Sequence, residues 1–177
     1  FLVWEYANEG NLRGYLKNKF NMLKWNDKIQ MALDITCGLM FLHSEQIIHG
    51  NLHAYTILIK NGRLMITDFG LSVEATSSVA ENIVYVEPRH LHDPSYKLDM
   101  RSDIYSLGVL LWELSSGRPP FLNYGQGEFS LTRTLIINGK REDPIESTPL
   151  EYQKLYQKCW HNSPDIRPEI NEVHEIL

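Results

Sequence analysis

The polar residues that could do chemistry in this 177-residue chain gather in two short stretches. HGNLHAYTIL, from His49 to Leu58, holds His49, Asn51, His53 and Thr56; TDFG holds Thr67 and Asp68. The first stretch is not an obvious acid–base pair. Asn51 is an amide, which hydrogen-bonds a hydroxyl but accepts no proton at physiological pH. His53 is mostly neutral near pH 7 unless its surroundings shift it, and Thr56 offers a hard cation only a short, weak oxygen donor. Asp68 is the one carboxylate in the two stretches. A further acid, Asp103, stands near the start of the most apolar segment, where a buried carboxylate must find hydrogen-bond donors.

These residues need a frame. FLVWEYA at the start reads as a buried strand, stopped by the turn residues NEGN before LRGYLKNK opens a short helix. From Trp25 to Ser44, the apolar residues Ile29, Ala32, Ile35, Leu39 and Leu42 recur at spacings of three and four, which predicts one long helix capped by Asn26 or Asp27. IIHGNL, TILIK and RLMITDF read as very short strands, the last two joined through Asn61-Gly62, a hairpin signal. Met100 to Ser116 is apolar almost all round and must be an enclosed helix, ended by Gly117 and kept from resuming by Pro119 and Pro120. Phe129 to Ile137, PLEYQKLYQKCW and PEINEVHEIL complete a mainly helical outline with a small β-hairpin.

Composition bounds the rest. An apolar content of 43% supports one domain with an ordinary core. A net charge of −5, with both signs interspersed, offers no basic face for a nucleic acid. No run reaches the ~20 apolar residues of a membrane helix and no signal-peptide pattern is present, so the chain is expected to be cytoplasmic. Cys37 and Cys159 each lie in an apolar helical pattern and are expected to be reduced thiols in the core. Lacking an initiator methionine, the sequence reads as starting inside a domain. Gly125 and Gly127 lack the third glycine of a dinucleotide loop, His90 and His92 diverge on a helix and give no ligand geometry, and REDPIE reads as a solvated loop.

HGNLHAYTIL, TDFG, SDIYSLG with WEL, and CWHNSPDIRP follow one another in the order of the protein-kinase pattern, the first against H-R-D-L-x-x-x-N and the second against D-F-G. The chain resembles a protein kinase, most closely the tyrosine-kinase and tyrosine-kinase-like groups. The resemblance implies an α+β kinase fold whose C-terminal lobe, starting at the hinge strand, spans residues 1–177, with no Gly-rich loop, V-A-I-K lysine or partner glutamate. It places Glu5 and Ala7 at the hinge groups that hold adenine. Leu58 falls on the floor of that site, Thr67 and Asp68 beside the nucleotide, and Trp4 at the gatekeeper position or simply at the end of a core strand. ATP and Mg²⁺ are the implied cofactors, and protein substrates or partners in signalling the implied macromolecules.

The same resemblance marks departures. Asn51 stands where the family has the aspartate that accepts the substrate hydroxyl's proton, and Thr56 where it has the asparagine that holds a second Mg²⁺. His53 replaces the phosphate-steadying lysine of serine/threonine kinases, and Gly50 the arginine that receives an activation-segment phosphate. His49 and Phe69 fall in the family's hydrophobic stack, and Asp103 matches the buried acid beneath the catalytic loop. Thr76, Ser77 and Ser78 are candidate phosphorylation sites. Arg89 replaces the glutamate that pairs with the arginine matching Arg167; two cations cannot form that pair, so either Glu87, two residues earlier, substitutes or this corner is looser than in a typical kinase. The expectation is a pseudokinase lobe that signals by binding, with residual ATP binding through Asp68. The alternatives are an active Ser/Thr or Tyr kinase seen as a fragment, or a nucleotide-free interaction module.

Overall fold

The computed structural model describes residues 7–69, 82–122 and 129–177. Glu5 and Trp4, the stretch with Thr76, Ser77 and Ser78, and the Gly125–Gly127 segment lie outside those residues. In chain order come α1 (Leu12–Lys19), α2 (Trp25–Ser44), β1 (Ile57–Lys60), β2 (Arg63–Ile66), α3 (Pro88–His92), α4 (Met100–Ser116), α5 (Phe129–Ile137), α6 (Leu150–Cys159) and α7 (Ile170–Ile176). Single 3-10 turns sit at Phe20–Met22, Ile83–Tyr85 and Pro164–Ile166. The protein is mainly α, as the periodicities require.

Helix α4 is the core's axis, and every residue from 102 to 115 along it is buried. Asp99 caps it by accepting Arg101 N–H at 2.8 Å while Ser102 Oγ accepts Asp99 N–H at 3.0 Å, so two orphan donors are met reciprocally. Gly117 ends it at φ 72°, a left-handed conformation that favours glycine. Helices α2 and α6 pack on its sides, and α2 also meets β2 and α7. Where α4 crosses α6 the backbones nearly touch: a Cβ at Gly108 would lie 2.7 Å from Cys159 Cβ and 2.8 Å from the Trp160 nitrogen.

Strands β1 and β2 pair antiparallel in the register Ile57↔Ile66 to Lys60↔Arg63, turned by Asn61 and Gly62 at φ 50° and 74°. Ile57 and Ile59 point into the core while Leu58 and Lys60 stay half-exposed. Among the described residues, no helix is long and apolar enough to cross a membrane.

Several local expectations need correction. IIHGNL contains no strand: Gly50 turns left-handed at φ 72°, and the His49 and Gly50 N–H groups are directed to a side chain instead of a neighbouring strand. Asp27 serves α2 from within its first turn, accepting Lys24 N–H at 2.8 Å, and the N-cap position is Lys24. Cys159 is buried but Cys37 is exposed, because it lies off the Ala32–Ile35–Leu39–Leu42 face. REDPIE is only partly solvated. Arg141 Nε donates to Trp160 O at 3.0 Å and its guanidinium covers Tyr105, while Glu142 accepts Phe121 N–H at 2.5 Å.

Candidate functional site

The loop between α2 and β1 is anchored to α4. Asp103, 1% exposed, accepts the His49 and Gly50 backbone N–H groups at 2.9 and 2.8 Å, and His43 Nε2 of α2 lies 2.9 Å from its Oδ2. A carboxylate that burial would otherwise penalise is thereby fully occupied and ties the loop to two helices. His49 forms the next link. Its Nδ1 accepts Asn51 N–H at 3.2 Å, so the ring proton resides on Nε2 and goes to the Thr67 carbonyl at 3.0 Å. Burial lowers its pKa against the pull of Asp103, and both nitrogens are committed to backbone.

Above this foundation stand the residues with candidate chemical roles. Asn51 is 8% exposed, and its Nδ2 has no hydrogen-bond partner among the described residues. The pocket beside it, bounded in part by Gly50, His53, Tyr85 and Ser102, measures about 20 Å³, room for one water. Burial, with His49 adding to it, pushes the His53 pKa down to about 4, so His53 is uncharged at neutral pH. Its Nδ1 accepts Tyr55 N–H at 3.3 Å, and its Nε2 lies 3.1 Å from the side-chain amide of Asn82. The Thr56 hydroxyl accepts His53 N–H at 3.0 Å and donates to His53 O at 2.9 Å. At 3% exposure it is occupied with holding the loop's own turn.

The nucleotide-side candidates line up along the hairpin and the chain before α1. Ala7 and Leu58 are half-buried, and Leu58 pairs with Met65 and bridges to Asn11. Thr67 Oγ1 donates to Thr56 O at 3.1 Å. Asp68 is exposed and holds φ 60°, an uncommon conformation that aspartate tolerates better than most residues. Phe69, expected in a packed stack with His49, is 50% exposed and outside the core. No described residue covers its ring enough to bury it.

A buried polar cluster next to the loop was not foreseen. Arg13 of α1 pairs with Glu113 of α4 at 2.6 Å and donates through Nη2 to the Tyr85 hydroxyl at 2.8 Å. Tyr85 in turn donates to Glu113. Burial raises the Glu113 pKa to about 7 despite Arg13 and Tyr85. The same arginine's backbone N–H donates to Ala54 O at 3.3 Å, so α1, the 83–85 turn, α4 and the loop are joined at one point. The signal available in the sequence was the acid of WEL inside a helix that is otherwise apolar, since such a group demands partners. At the far end of the lobe, Glu87 and Arg167 pair at 3.0 Å with both side chains 0% exposed, and Arg89 lies outside that pair.

The sequence family described as Protein tyrosine and serine/threonine kinase matches residues 1–177. The chain belongs to the protein kinase family. It is 32% identical to the Probable serine/threonine-protein kinase pats1 of Dictyostelium discoideum, over 99% of this chain and 6% of that protein. It is 30% identical to the Tyrosine-protein kinase transforming protein Fps of Avian sarcoma virus (strain PRCII), over 100% of this chain and 34% of that protein. Against Tyrosine-protein kinase Fer of Mus musculus it is 28% identical, over 100% of this chain and 22% of Fer. The chain thus spans about a third or less of each of these relatives, one named as a serine/threonine kinase and two as tyrosine kinases. The kinase fold class and a kinase-like signalling domain follow from the match.

Kinases as a family use ATP and Mg²⁺. The residues fit that pair of cofactors in part: the exposed Asp68 carboxylate suits one Mg²⁺, while the Thr56 hydroxyl is taken up by His53 backbone. Among the described residues, no three His, Cys, Asp or Glu side chains group to hold a metal ion.

Proposed function

We propose that residues 1–177 are the hinge and C-terminal lobe of a kinase domain that has become a pseudokinase, acting in cytoplasmic signalling by binding protein partners. One observation carries this reading: the amide of Asn51 occupies the centre of a loop whose anchoring is otherwise complete. Phosphoryl transfer is positioning plus electrostatics, and it requires particular charges. An amide takes no proton, the neutral His53 steadies no phosphate, and Thr56 has turned its hydroxyl inward. Loss of a general base alone costs ~10²–10⁴ in rate. In this reading Glu5 and Ala7 line the hinge side and Leu58 the floor of a residual nucleotide site. Thr67 flanks it, and Asp68 holds a single Mg²⁺.

A second reading, an active kinase represented by part of its domain, is favoured by the exposed Asp68 carboxylate and by transition states that need little early proton removal. The two separate in a transfer assay on the full-length protein with labelled ATP and either Mg²⁺ or Mn²⁺. Transfer no greater than that of an Asp68→Ala variant supports the pseudokinase; steady turnover that Asp68→Ala abolishes refutes it.

A further inference from the structure

Residue 89 is released by the charge exchange at the end of the lobe. Arg167 is satisfied without it: Nη1 reaches Glu87 at 3.0 Å and the Arg101 carbonyl at 2.8 Å, and Nε reaches the His161 carbonyl at 2.9 Å. Glu87 is also held by the Ser102 hydroxyl. Arg89 therefore has no structural task in that corner. Its side chain is 46% exposed, and among the described residues it makes no hydrogen bond. Asp165 is the nearest carboxylate, at 4.0 Å, and that acid is bound by Arg101 at 2.6 Å through its other oxygen.

The freed guanidinium stands at the edge of a cavity of about 350 Å³ between α3 and α5, within the range of ligand clefts. Pro88 and Ile137 supply an apolar floor, and Tyr96, whose ring centroid is 5.9 Å from the guanidinium carbon, supports the arginine. The walls are fixed. His90 Nδ1 lies 2.8 Å from the Tyr96 carbonyl, Arg133 of α5 donates to Leu91 O at 2.9 Å, and Asn162 Nδ2 donates to Ile137 O at 3.3 Å. The one acid in the lining, Asp93, has an oxygen occupied by the Ser95 N–H and hydroxyl at 2.9 and 2.7 Å. Arg89 is then the lining cation with unused donors, and Asp93, which keeps its negative charge, is the group an incoming carboxylate must stay clear of. A guanidinium fork beside an apolar floor complements a carboxylate with an apolar neighbour.

We propose that the groove between α3 and α5 docks an acidic segment of a partner protein, with Arg89 gripping a carboxylate and Pro88 and Ile137 receiving an adjacent apolar side chain. This holds whether or not the loop transfers phosphate. The test is a fluorescence-anisotropy titration of the full chain with a fluorescein-labelled nonapeptide of glutamate, leucine and glycine, and with the same peptide carrying glutamine for glutamate. The acidic peptide should bind saturably, with affinity that falls as salt rises. Arg89→Ala should weaken it roughly tenfold or more, Arg89→Lys less because the charge remains without the fork, and Lys154→Ala, at an exposed cation on α6, should leave it unchanged. Equal affinity for the glutamine peptide, undiminished binding by Arg89→Ala, or no saturable binding by the unaltered chain overturns the proposal.

Discussion

Asp103, at the foot of the loop, has both oxygens engaged by backbone donors and a histidine, whereas Asn51, two residues past His49, has an amide nitrogen without a partner among the described residues. Both are buried, at 1% and 8% exposure. The contrast separates two properties that a kinase loop normally combines. Its shape is set by Asp103, His49 and the inward-turned Thr56, and none of these needs a charge at position 51. In the proposed reading, transfer would need a carboxylate at 51, a cation at 53 and a metal-binding amide at 56, and those positions carry an amide, a neutral imidazole and an internally bonded hydroxyl. The anchoring of the loop is therefore independent of the side chain at position 51.

Substitutions at the two levels should differ in size. Asp103→Ala leaves two buried N–H groups and His43 without their acceptor, and should cost about 3–5 kcal/mol in a denaturant titration. A loss under about 1 kcal/mol would show that the anchor is dispensable.

The next largest effect is in pH dependence, where two buried groups act in opposite directions. The folded-state pKa of His53 is lowered to about 4, so its contribution is complete above the unfolded value of about 6.5 and is lost as pH falls toward 4. Glu113 is raised to about 7, so its contribution is complete below about 4.5 and is lost as pH rises through 7. They partly cancel between those limits. Glu113→Gln removes one arm, and the unfolding free energy of that variant, read by denaturant titration, should fall more steeply than the unaltered protein's on acidification from about pH 6.5 to 4.5, by on the order of 2 kcal/mol. Parallel profiles would mean that Glu113 does not titrate in this range.

Smaller effects belong to the loop's upper residues. Thr56→Val removes a hydroxyl that both accepts and donates, and should cost about 1–2 kcal/mol by thermal denaturation. Asn51→Ala removes an amide whose nitrogen has no partner, and should shift stability by less than about 1 kcal/mol in either direction. A larger loss for Asn51→Ala than for Thr56→Val would reverse the proposed division between shape and chemistry.

Much of this arrangement was legible in the sequence where a local rule applied. Apolar spacing marked α2, near-continuous apolarity closed by Gly117 marked α4, and Asn61-Gly62 marked the hairpin, because period and turn chemistry act over a few residues. The Glu87–Arg167 pair was one of two outcomes open in the sequence: a cation at 89 meant that Glu87 met Arg167 or that the corner loosened, and the structure shows the first. What was hidden depended on long-range placement. The sequence flags Glu113 as an acid in an apolar helix, but it cannot show that Arg13 and Tyr85 converge on it. IIHGNL looked like a strand because its composition is that of one, and only the carboxylate of Asp103 draws its N–H groups away. Arg141 and Glu142 looked solvated because their partners, Trp160 and Phe121, lie on other segments.

In the proposed reading the loop keeps its anchoring and lacks the base and the second metal ligand. Single-turnover transfer of labelled phosphate by the full-length protein, measured beside its Asn51→Asp, Thr56→Asn double variant, tests it most directly. Negligible transfer is expected from the unaltered protein, and a gain of ~10²-fold or more from the double variant. Steady transfer by the unaltered protein, with no gain in the double variant, would contradict it.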